Sequence, residues 1–331
     1  MIQEIDLNLR GKSILITGST GFIGRNLISF LTKTDSFKQQ NLRIICSGRN
    51  PDSLALIHPN VPGIEHFVWD VKTEAEKAPK QIDYVIHLAG EDRFWNSEFE
   101  QSEIITTSID GTTNVLNLVD RVCAKKMLLA SSGAVYPLRE QIISPILEDD
   151  YSPSTEVQSI DPYTVGKRKS EQLCFDFSQS HGANISIARL FTLIGPNFPI
   201  TRPFAIGEFI RMCLRNEPIV VRGSSSVVRS YQNVQDTSRW LMTILLSNNS
   251  ENIFNVGDSS PISMPDLAQM VAEVCGNQHP IQFSLDDDLR TNRNYYIPDI
   301  SKAKKILGLT NLVSIEDSII ETYRSFAKRT P

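Results

Sequence analysis

Short apolar runs alternate with longer amphipathic stretches through the first half of the chain. The runs predict six strands, at residues 13–17, 42–47, 66–69, 84–88, 126–131 and 185–189. They are apolar throughout rather than at every second position, which is typical of strands buried on both faces of a parallel sheet. Helical stretches separate them, so the pattern predicts an α/β fold with a doubly wound parallel sheet.

One helical stretch lies between the fourth and fifth predicted strands. Ile105, Ile109, Leu116 and Val119 recur there at spacings of the i, i+4 and i+7 type. Such spacings place side chains on one side of a helix. We therefore predict a long helix with these four residues on one face.

The regular alternation loosens after about residue 190, where three prolines interrupt the pattern. We predict a first domain over residues 1–190 and a smaller mixed α/β lobe over residues 191–331. A helical pattern followed by a buried-strand pattern lies within residues 228–257. This segment is therefore expected to return to the first domain.

Composition excludes several classes of function. The 331 residues are 40% hydrophobic and 21% charged, close to the average of globular proteins. The net charge is −5 and the basic residues are scattered, whereas nucleic-acid binders usually show a basic stripe. The five cysteines are dispersed, which is typical of free thiols rather than of a metal site. We expect neither a nucleic-acid partner nor a bound metal.

The first residues and the apolar runs bear on location. The segment Met1–Asp6 is acidic and lacks the basic stretch followed by apolar residues that marks a signal peptide. No apolar run approaches the roughly 20 residues that a membrane helix needs. The expectation is a cytoplasmic protein without a membrane partner.

Candidate chemistry begins directly after the first predicted strand. Residues 18–24 read Gly-Ser-Thr-Gly-Phe-Ile-Gly and open a helix. The three glycines allow a tight turn, a close approach of a pyrophosphate, and close packing of helix and strand. The helix N-terminus adds free N–H groups and a partial positive charge. This context predicts a dinucleotide site of the Rossmann type in the first domain; the alternative is a turn that binds no ligand.

The end of the second strand bears on which dinucleotide binds. Folds that bind NAD usually have an acid there for the ribose hydroxyls, and this chain has Ser47, Gly48 and Arg49. An arginine can pair with the 2′-phosphate of NADP, so NADP is favoured over NAD, although a solvated loop arginine is an alternative. Asp70, after the third strand, is either a ligand of the adenine amino group or an ordinary loop residue.

Tyr163 and Lys167 are four residues apart in a helical stretch, so they lie on one face of that helix. A free tyrosine has a pKa near ~10. The ammonium of Lys167 and an oxidised nicotinamide ring would lower that pKa. Tyr163 can then exchange a proton with a hydroxyl or keto oxygen during hydride transfer. The spacing also occurs by chance, in which case Tyr163 is an exposed helical residue.

Ser132 lies at the end of the fifth predicted strand and is followed by Gly133 and Ala134. The carboxyl ends of central strands border the crevice where such folds bind ligands. Ser132 is therefore expected to hydrogen-bond the same substrate oxygen that Tyr163 serves. A serine at a strand end is often only a turn residue.

These motifs together resemble the extended short-chain dehydrogenase/reductase family, in its branch of sugar-nucleotide 4-epimerases, 4,6-dehydratases and 4-keto reductases. The resemblance covers nearly the whole chain, with motifs in the family's order at 17–24, 87–90, 111–116, 132 with 163 and 167, 189–196, 228–236 and 299–308. It implies that Ser132, Tyr163 and Lys167 are catalytic. It also implies that the first domain binds the dinucleotide and the second lobe the substrate.

The resemblance further implies the residues around each ligand. Those expected at the cofactor are Gly18, Thr20, Gly21, Phe22, Ile23, Gly24, Arg49, Asp70, Val71, Leu88, Ala89, Gly90, Tyr163 and Lys167. Those expected at the substrate are Ser132, Thr192, Arg229 and Arg290, with Arg293 as the alternative to Arg290. Arg229 lies in the stretch that resembles the family's diphosphate-binding segment. Relatives commonly pair the helix of Tyr163 with its copy, so a homodimer is expected.

Departures from the family pattern reduce the number of reactions that we expect this chain to catalyse. Thr192 and Ser108 stand where the family often has asparagine, and the acid after the second strand is missing. Gly133 and Ala134 stand where the 4,6-dehydratases carry an Asp-Glu pair that serves as acid and base. Glycine and alanine carry no transferable proton, so dehydration by that route is not expected.

The expected function is NAD(P)-dependent oxidation–reduction of a nucleoside-diphosphate sugar. Reduction of a 4-keto group is preferred because the cofactor site favours NADP. One alternative is a 4-epimerase with tightly bound NAD. A second is a cofactor-binding sensor or scaffold without catalytic activity, since a fold does not prove a function. The intact Ser132, Tyr163 and Lys167 favour an enzyme.

Overall fold

A computed structural model gives the fold of the chain over residues 2–59, 61–90, 98–137, 144–152, 161–222, 224, 226–249, 252–284 and 294–327. The chain forms two compact units. The first comprises Met1–Val135, Tyr151–Leu190 and Ser238–Phe254, and the second comprises Tyr136–Asp150, Phe191–Thr237 and Asn255–Pro331. The domain boundaries and the ligand roles expected for the two lobes stay predictions.

Helices and strands alternate along the described residues. The α-helices are, in chain order, α1 (Ile2–Leu9), α2 (Phe22–Leu31), α3 (Asp35–Lys38), α4 (Pro51–Ile57), α5 (Glu98–Arg121), α6 (Pro162–His181), α7 (Ala205–Leu214), α8 (Val234–Leu246), α9 (Met264–Cys275), α10 (Ser301–Leu307) and α11 (Ile315–Ala327). The β-strands are β1 (Lys12–Thr17), β2 (Leu42–Gly48), β3 (Ile64–Val68), β4 (Tyr84–His87), β5 (Lys126–Ser132), β6 (Ile185–Leu190), β7 (Leu193–Ile194), β8 (Val220–Arg222), β9 (Val228–Arg229), β10 (Gln232–Asn233), β11 (Ile253–Val256), β12 (Ile262–Ser263), β13 (Gln282–Ser284) and β14 (Tyr295–Tyr296). All six predicted strands are present, with ends that differ by no more than two residues.

A seven-stranded sheet has the strand order β11-β6-β5-β4-β1-β2-β3. The pairs β1–β2, β1–β4, β2–β3, β4–β5 and β5–β6 are all parallel. The strand order reverses between β1 and β4, and folds of this kind bind ligands at the carboxyl ends of the strands beside such a reversal. The prediction of a Rossmann-type doubly wound parallel sheet is confirmed.

A hydrophobic core lies between one face of this sheet and α5. The strands contribute alternate residues such as Leu15, Val85 and Met127, because successive side chains of a strand point to opposite faces. Leu116 and Val119 of α5 belong to the same core and are buried, as predicted. Both β5 and β6 are buried along their whole length, which explains why apolar residues dominate them.

Over the first half of α5, the buried side of the helix is centred on small residues. Ile105 and Ile109 are only half-buried, whereas Ser108 and Gly111 are buried. The cause is the close packing of α5 against α6, since a Cβ on Gly166 would lie 2.5 Å from the Ser108 hydroxyl oxygen. Small residues must occupy this contact, so the bulky isoleucines lie beside it. All four predicted residues lie within α5, and Ile105 and Ile109 are the half-buried members of their face.

The second unit is mixed α/β in structure, as predicted. Its short strands form three small sheets, β10–β7, β12–β9–β14 and β13–β8. Helices α7, α9 and α11 pack against one another. In the part of the chain that the structure describes, no helix combines the length and apolar composition needed to cross a membrane.

Candidate active site

The turn between β1 and α2 requires glycine at two positions. Gly18 has a φ of +65°, and a Cβ there would lie 2.7 Å from the backbone nitrogen of Ala89. A Cβ on Gly24 would lie 2.5 Å from the carbonyl oxygen of Gly18. Glycine alone tolerates a positive φ together with such close approaches. These residues therefore let the turn pack directly on the segment that follows β4.

The same turn has the form of an anion site. Helix α2 begins after Gly21, and no side chain caps its N-terminus. Gly21 is exposed, and among the described residues a Cβ there would meet just the carbonyl of Gly18, at 3.3 Å. A helix N-terminus with open backbone around it favours a phosphate group. The residues present thus fit the pyrophosphate of a dinucleotide, with Gly21 allowing its approach.

The carboxyl end of β2 lies beside the glycine turn. The Ser47 carbonyl accepts hydrogen bonds from the backbone N–H and the hydroxyl of Ser19, at 3.1 and 3.0 Å. The Ser47 side chain is buried, whereas Arg49 is exposed. The pKa of Lys72 is raised, chiefly by its hydrogen bond to Glu103, and the charge of Arg49 opposes that rise. Arg49 thus brings an exposed positive charge to the end of β2, while the charge of Lys72 is paired with Glu103 at 2.6 Å.

Asp70 and Val71 shape the loop after β3. Asp70 Oδ1 accepts a hydrogen bond from the backbone N–H of Lys72 at 3.0 Å. Val71 is buried, and its carbonyl accepts from the Asn114 amide of α5 at 2.9 Å. These bonds hold the loop against α5. The contact of Asp70 with adenine stays a prediction.

A buried hydrogen-bond chain links β1 to the end of β4. The Thr17 hydroxyl lies 2.8 Å from His87 Nδ1 and accepts a hydrogen bond from the backbone N–H of Ala89 at 3.2 Å. Burial, with a smaller effect of the Lys167 charge, lowers the pKa of His87 to about 3. The ring is therefore neutral near pH 7. The Thr17 hydroxyl thus bridges the neutral imidazole and the backbone that follows β4.

Helix α6 begins and ends at residues whose types favour those positions. The Asp161 carboxylate caps the N-terminus by accepting from the backbone N–H of Tyr163, and Pro162 is the first helical residue. Gly182, with a φ of +64°, follows the last turn. The caps place Tyr163 in the first turn of α6 and Lys167 one turn later.

Lys167 joins α6 to β5 and to the segment after β4. Its Nζ donates to the carbonyl of Ala130 at 2.9 Å and lies 5.8 Å from the centroid of the Tyr163 ring. A Cβ on Gly90 would lie 3.7 Å from the same Nζ. Burial lowers the pKa of Lys167 to about 8, and the carboxylate of Glu171 opposes that fall. The structure thus brings Tyr163, Lys167 and Gly90 together, as the sequence motifs suggest.

Ser132 is the last residue of β5, and a turn of 3₁₀-helix at Gly133–Val135 follows it. The Ser132 hydroxyl oxygen accepts a hydrogen bond from the backbone N–H of Ala134 at 3.1 Å. This bond orients the hydroxyl, which retains a proton to donate. Gly133 and Ala134 are buried and carry no acidic or basic group.

Two predicted substrate ligands lie in the second unit. Thr192 is half-buried just before β7. Arg229 donates from Nη1 to the carbonyl of Asn294 at 3.2 Å, and its guanidinium lies 5.8 Å from the centroid of the Tyr296 ring. The contacts of both residues with a substrate stay predictions. Arg290 and Arg293 lie outside the described residues.

Two buried features of the first unit escape the sequence analysis. One is the neutral His87 with its bond to Thr17. The other is an ion pair between Glu171 of α6 and Arg189 of β6, whose side chains are both fully buried. Glu171 follows Lys167 by four residues. This spacing alone could have indicated that the two side chains share one face of the helix.

The described cysteines are free thiols, of which Cys46, Cys174 and Cys213 are buried and Cys123 is exposed. Over the ranges that the structure describes, no cluster of three or more His, Cys, Asp or Glu side chains is arranged to hold a metal ion.

Comparison with known proteins places these features in a family. The pattern of the NAD dependent epimerase/dehydratase family matches residues 14–257. UDP-glucuronic acid decarboxylase 1 of Danio rerio is 29% identical over 320 residues, which cover 96% of this chain and 73% of that protein. UDP-glucuronic acid decarboxylase 3 of Arabidopsis thaliana is 30% identical over 309 residues, which cover 92% of this chain and 86% of that protein.

Solved structures share the fold over nearly the whole chain. An epimerase of Methanothermobacter thermautotrophicus has a TM-score of 0.84 at 24% identity and covers 99% of this chain and 96% of its own. The UDP-glucose 4-epimerase of Thermotoga maritima, solved with UDP-glucose, has a TM-score of 0.80 at 21% identity, with coverage of 96% and 100%. The UDP-glucuronic acid 4-epimerase of Bacillus cereus, solved with NAD, has a TM-score of 0.77 at 22% identity, with the same coverage.

Proposed function

The chain belongs to the NAD-dependent epimerase/dehydratase family of enzymes, and we propose that it reduces the 4-keto group of a nucleoside-diphosphate sugar. The observation that carries this proposal is the grouping of Tyr163 and Lys167 with Gly90, beside a glycine turn that fits a dinucleotide. Ser132 ends the neighbouring strand that Lys167 contacts through Ala130. Such a grouping suits proton exchange with one substrate oxygen next to a nicotinamide.

Each side chain has a separate task in this reaction. A reduced nicotinamide bound at the glycine turn would supply the hydride for C4 of the sugar. Tyr163 donates its hydroxyl proton to the 4-oxygen, and the nearby Lys167 ammonium stabilises the phenolate that remains. Ser132, whose oxygen already accepts from Ala134, donates its hydroxyl proton in a hydrogen bond to the same 4-oxygen. The product is the 4-hydroxyl sugar nucleotide and the oxidised cofactor.

Two features favour reduction over other reactions of this family. Gly133 and Ala134 offer no acid or base for the elimination of water. Arg49, exposed at the end of β2, offers positive charge where a 2′-phosphate of NADP would bind. Cells keep NADP largely reduced, so an enzyme that selects it more often works as a reductase. We therefore propose NADPH as the preferred cofactor.

Arg49→Ala should weaken binding of NADPH roughly ten- to a hundredfold and leave NADH binding nearly unchanged. Its charge-assisted bond to the 2′-phosphate is worth about 1.5–3 kcal/mol, and 1.4 kcal/mol corresponds to tenfold in affinity. Titration of both reduced cofactors measures the two dissociation constants. Arg43→Ala, at the other end of β2, is the matched control and should change neither. Tighter NADH binding by the wild type would reject the NADP assignment.

Arg229→Ala should raise the KM for the sugar nucleotide at least tenfold, with little change in the KM for the cofactor. Arginine suits bidentate contact with a diphosphate, and we assign that contact to Arg229, with Arg290 or Arg293 as a second cation. Arg324→Ala, an exposed arginine on α11 of the same unit, serves as the control. Equal increases in both KM values would mean that Arg229 has a structural role.

Epimerisation at C4 is the second candidate. Solved structures of the same fold include 4-epimerases, one of them solved with NAD. Epimerisation needs the same Ser132, Tyr163 and Lys167 and no further acid, because the hydride returns to the sugar. It would require NAD that stays bound through the cycle. An NAD that co-purifies with the protein would therefore favour the epimerase, and an empty site with affinity for NADPH would favour the reductase.

We further propose that the chain acts in the cytoplasm as a homodimer. Ile105 and Ile109 of α5 are half-buried, and Phe175 of α6 is 39% exposed. These apolar side chains suit a contact between two copies of the α5–α6 pair, which is the pairing that the family resemblance implies. A two-fold dimer is also the commonest oligomer.

A panel of sugar nucleotides tests the proposed function. The purified protein is mixed with NADPH and 4-keto sugar nucleotides, and separately with NAD and UDP-glucose or UDP-glucuronic acid. We expect oxidation of NADPH with the 4-keto substrates. Interconversion of 4-epimers without net cofactor use would select the epimerase, and loss of carbon dioxide from UDP-glucuronic acid would select the reaction of the curated relatives. A protein that binds cofactor and changes none of them is a sensor or scaffold.

A further inference from the structure

One turn after Lys167, α6 carries a buried carboxylate that the proposed reaction does not use. Glu171 accepts hydrogen bonds from Nη2 and Nε of Arg189 at 2.8 and 3.1 Å, and both side chains are 0% exposed. Well-packed apolar residues of similar volume are often as stabilising as a buried ion pair. Stability alone therefore does not require an ion pair at this position.

Glu171 also holds the strand that ends in Ser132. The Ser131 hydroxyl donates to Glu171 Oε1 at 2.5 Å. Ser131 and Arg189 are partners in the register of β5 and β6, so one carboxylate bonds to both strands at the same level. The end of β5, from which Ser132 projects, is thereby tied to α6.

Tyr163, Lys167 and Glu171 follow one another at intervals of four residues, so they share one face of α6. The middle residue is the ammonium that stands beside the tyrosine ring. Glu171 is the described group whose charge favours that ammonium, against a larger opposing effect of burial. The Glu171 carboxylate thus favours the charged form of Lys167 electrostatically. Through its hydrogen bond with Ser131, it also holds the neighbouring Ser132 in place.

Two arginines pack against Tyr151 beside this part of the first unit. The guanidinium groups of Arg168 and Arg189 lie 5.3 and 5.1 Å from the centroid of the Tyr151 ring. Burial raises the pKa of Tyr151 to about 12, so that tyrosine carries no charge near pH 7. Helix α5 contributes the uncharged Ser108 and Thr112 to the packing against α6.

The other ionisable groups that face Lys167 supply no negative charge near pH 7. His87 of β4 is neutral near pH 7, as shown above, and Tyr163 lies on the same helix. Without Glu171, the ammonium would stand in a buried region with no described carboxylate that favours it. The ion pair is therefore placed where it can act on the reactive groups.

We propose that Glu171 is a positioning residue of the hydride-transfer site: its buried negative charge holds the Lys167 ammonium beside Tyr163 and fixes the end of β5 that carries Ser132. This inference rests on the proposed function of the site. It assigns to Glu171 no contact with substrate or cofactor. Arg189 in turn compensates the charge that Glu171 brings into the interior.

The test measures the protonation of Lys167 directly, so it does not require that the substrate be known. The full-length protein is treated with an amine-reactive ester across a range of pH, and modification of Lys167 is followed by peptide mass spectrometry. Only the neutral amine reacts, so the midpoint reports the protonation of Lys167. For the wild type we expect a midpoint at about pH 8, from the lowered pKa of this group.

Glu171→Gln keeps the size of the side chain and removes its charge. The lost carboxylate no longer favours the ammonium, so the midpoint should fall by roughly one to two pH units, as for a unit charge at ~6 Å in an effective dielectric of ~20. Turnover above pH 7 should fall at least tenfold, with an unchanged dissociation constant for the cofactor. Glu148→Gln, which removes a second buried glutamate in the other unit, should leave the midpoint where it is.

A double variant keeps the test decisive if Glu171→Gln does not fold. Glu171→Met with Arg189→Met removes both charges together and leaves no unpaired charge in the interior. We expect this protein to fold and still to show the lowered midpoint. A folded single or double variant with the wild-type midpoint would overturn the proposal. Absence of turnover in the wild type with every sugar nucleotide would instead count against the proposed function and leave the Lys167 measurement intact.

Discussion

Tyr163→Phe is expected to slow turnover of the sugar nucleotide roughly 100- to 10,000-fold while leaving cofactor affinity nearly unchanged. In the proposed reaction the hydroxyl exchanges the proton, and general acid–base catalysis by a positioned side chain typically contributes ~100- to ~10,000-fold. Phenylalanine keeps the ring that Lys167 approaches to 5.8 Å. The measurements are kcat and the cofactor dissociation constant at one pH.

Tyr323→Phe is the matched control for this change, because Tyr323 lies on α11 in the second unit. It should have the kcat of the wild type. If Tyr163→Phe also keeps near-wild-type turnover, Tyr163 is not the proton carrier and the assignment of the catalytic group is wrong.

Gly24→Ala is expected to lower the thermal midpoint of unfolding by roughly 5–10 °C and to remove detectable cofactor binding. A Cβ at this position would lie 2.5 Å from the carbonyl oxygen of Gly18, and backbone cannot move aside as a flexible side chain can. Overpacking typically costs about 1–3 kcal/mol, and each kcal/mol shifts the midpoint by roughly 2–4 °C for domains of 150–250 residues. Thermal unfolding without cofactor and a binding titration measure the two effects.

Gly21→Ala separates the two roles of the glycine turn. Gly21 has an extended backbone with φ −76°, which alanine adopts without strain, and its Cβ would meet the Gly18 carbonyl at 3.3 Å. We expect a thermal midpoint close to that of the wild type together with at least tenfold weaker cofactor binding, because the Cβ would occupy the approach of the pyrophosphate. Equal loss of stability in Gly21→Ala and Gly24→Ala would contradict this assignment.

The large sheet could be predicted because its signal is local. All seven residues of β5 and all six of β6 are buried, and the apolar residues that dominate both runs mark them as strands in the sequence. The glycine turn and the Tyr163–Lys167 spacing are equally local. Each lies within one turn or one helix, so its geometry follows from a few consecutive residues.

The features that escaped prediction depend on contacts between distant segments. The pair Glu171–Arg189 joins a helix to a strand, and the bond of Thr17 to His87 joins two strands 70 residues apart in the chain. Apolar spacing alone places Ile105 on the buried side of α5, but the contact with α6 selects small residues there. Which face of a helix is buried depends on its neighbour as well as on its own pattern.

The short strands of the second unit could not be predicted from the sequence pattern either. Strand β9 has two residues, and it pairs with β12 on one side and β14 on the other. Two residues are too few to show a period, and Val228 is half-buried rather than part of an apolar run. The sequence could therefore predict a mixed lobe here but not its small sheets.

We propose that the chain transfers a hydride to C4 of a sugar nucleotide with Tyr163 as the proton donor. The most direct measurement is transfer of deuterium from a reduced cofactor labelled at its transferring position to a 4-keto sugar nucleotide. The account predicts one deuterium at C4 of the product for each cofactor oxidised, and almost none with Tyr163→Phe in the same time. Product without deuterium at C4, or equal labelling by the wild type and Tyr163→Phe, would contradict it.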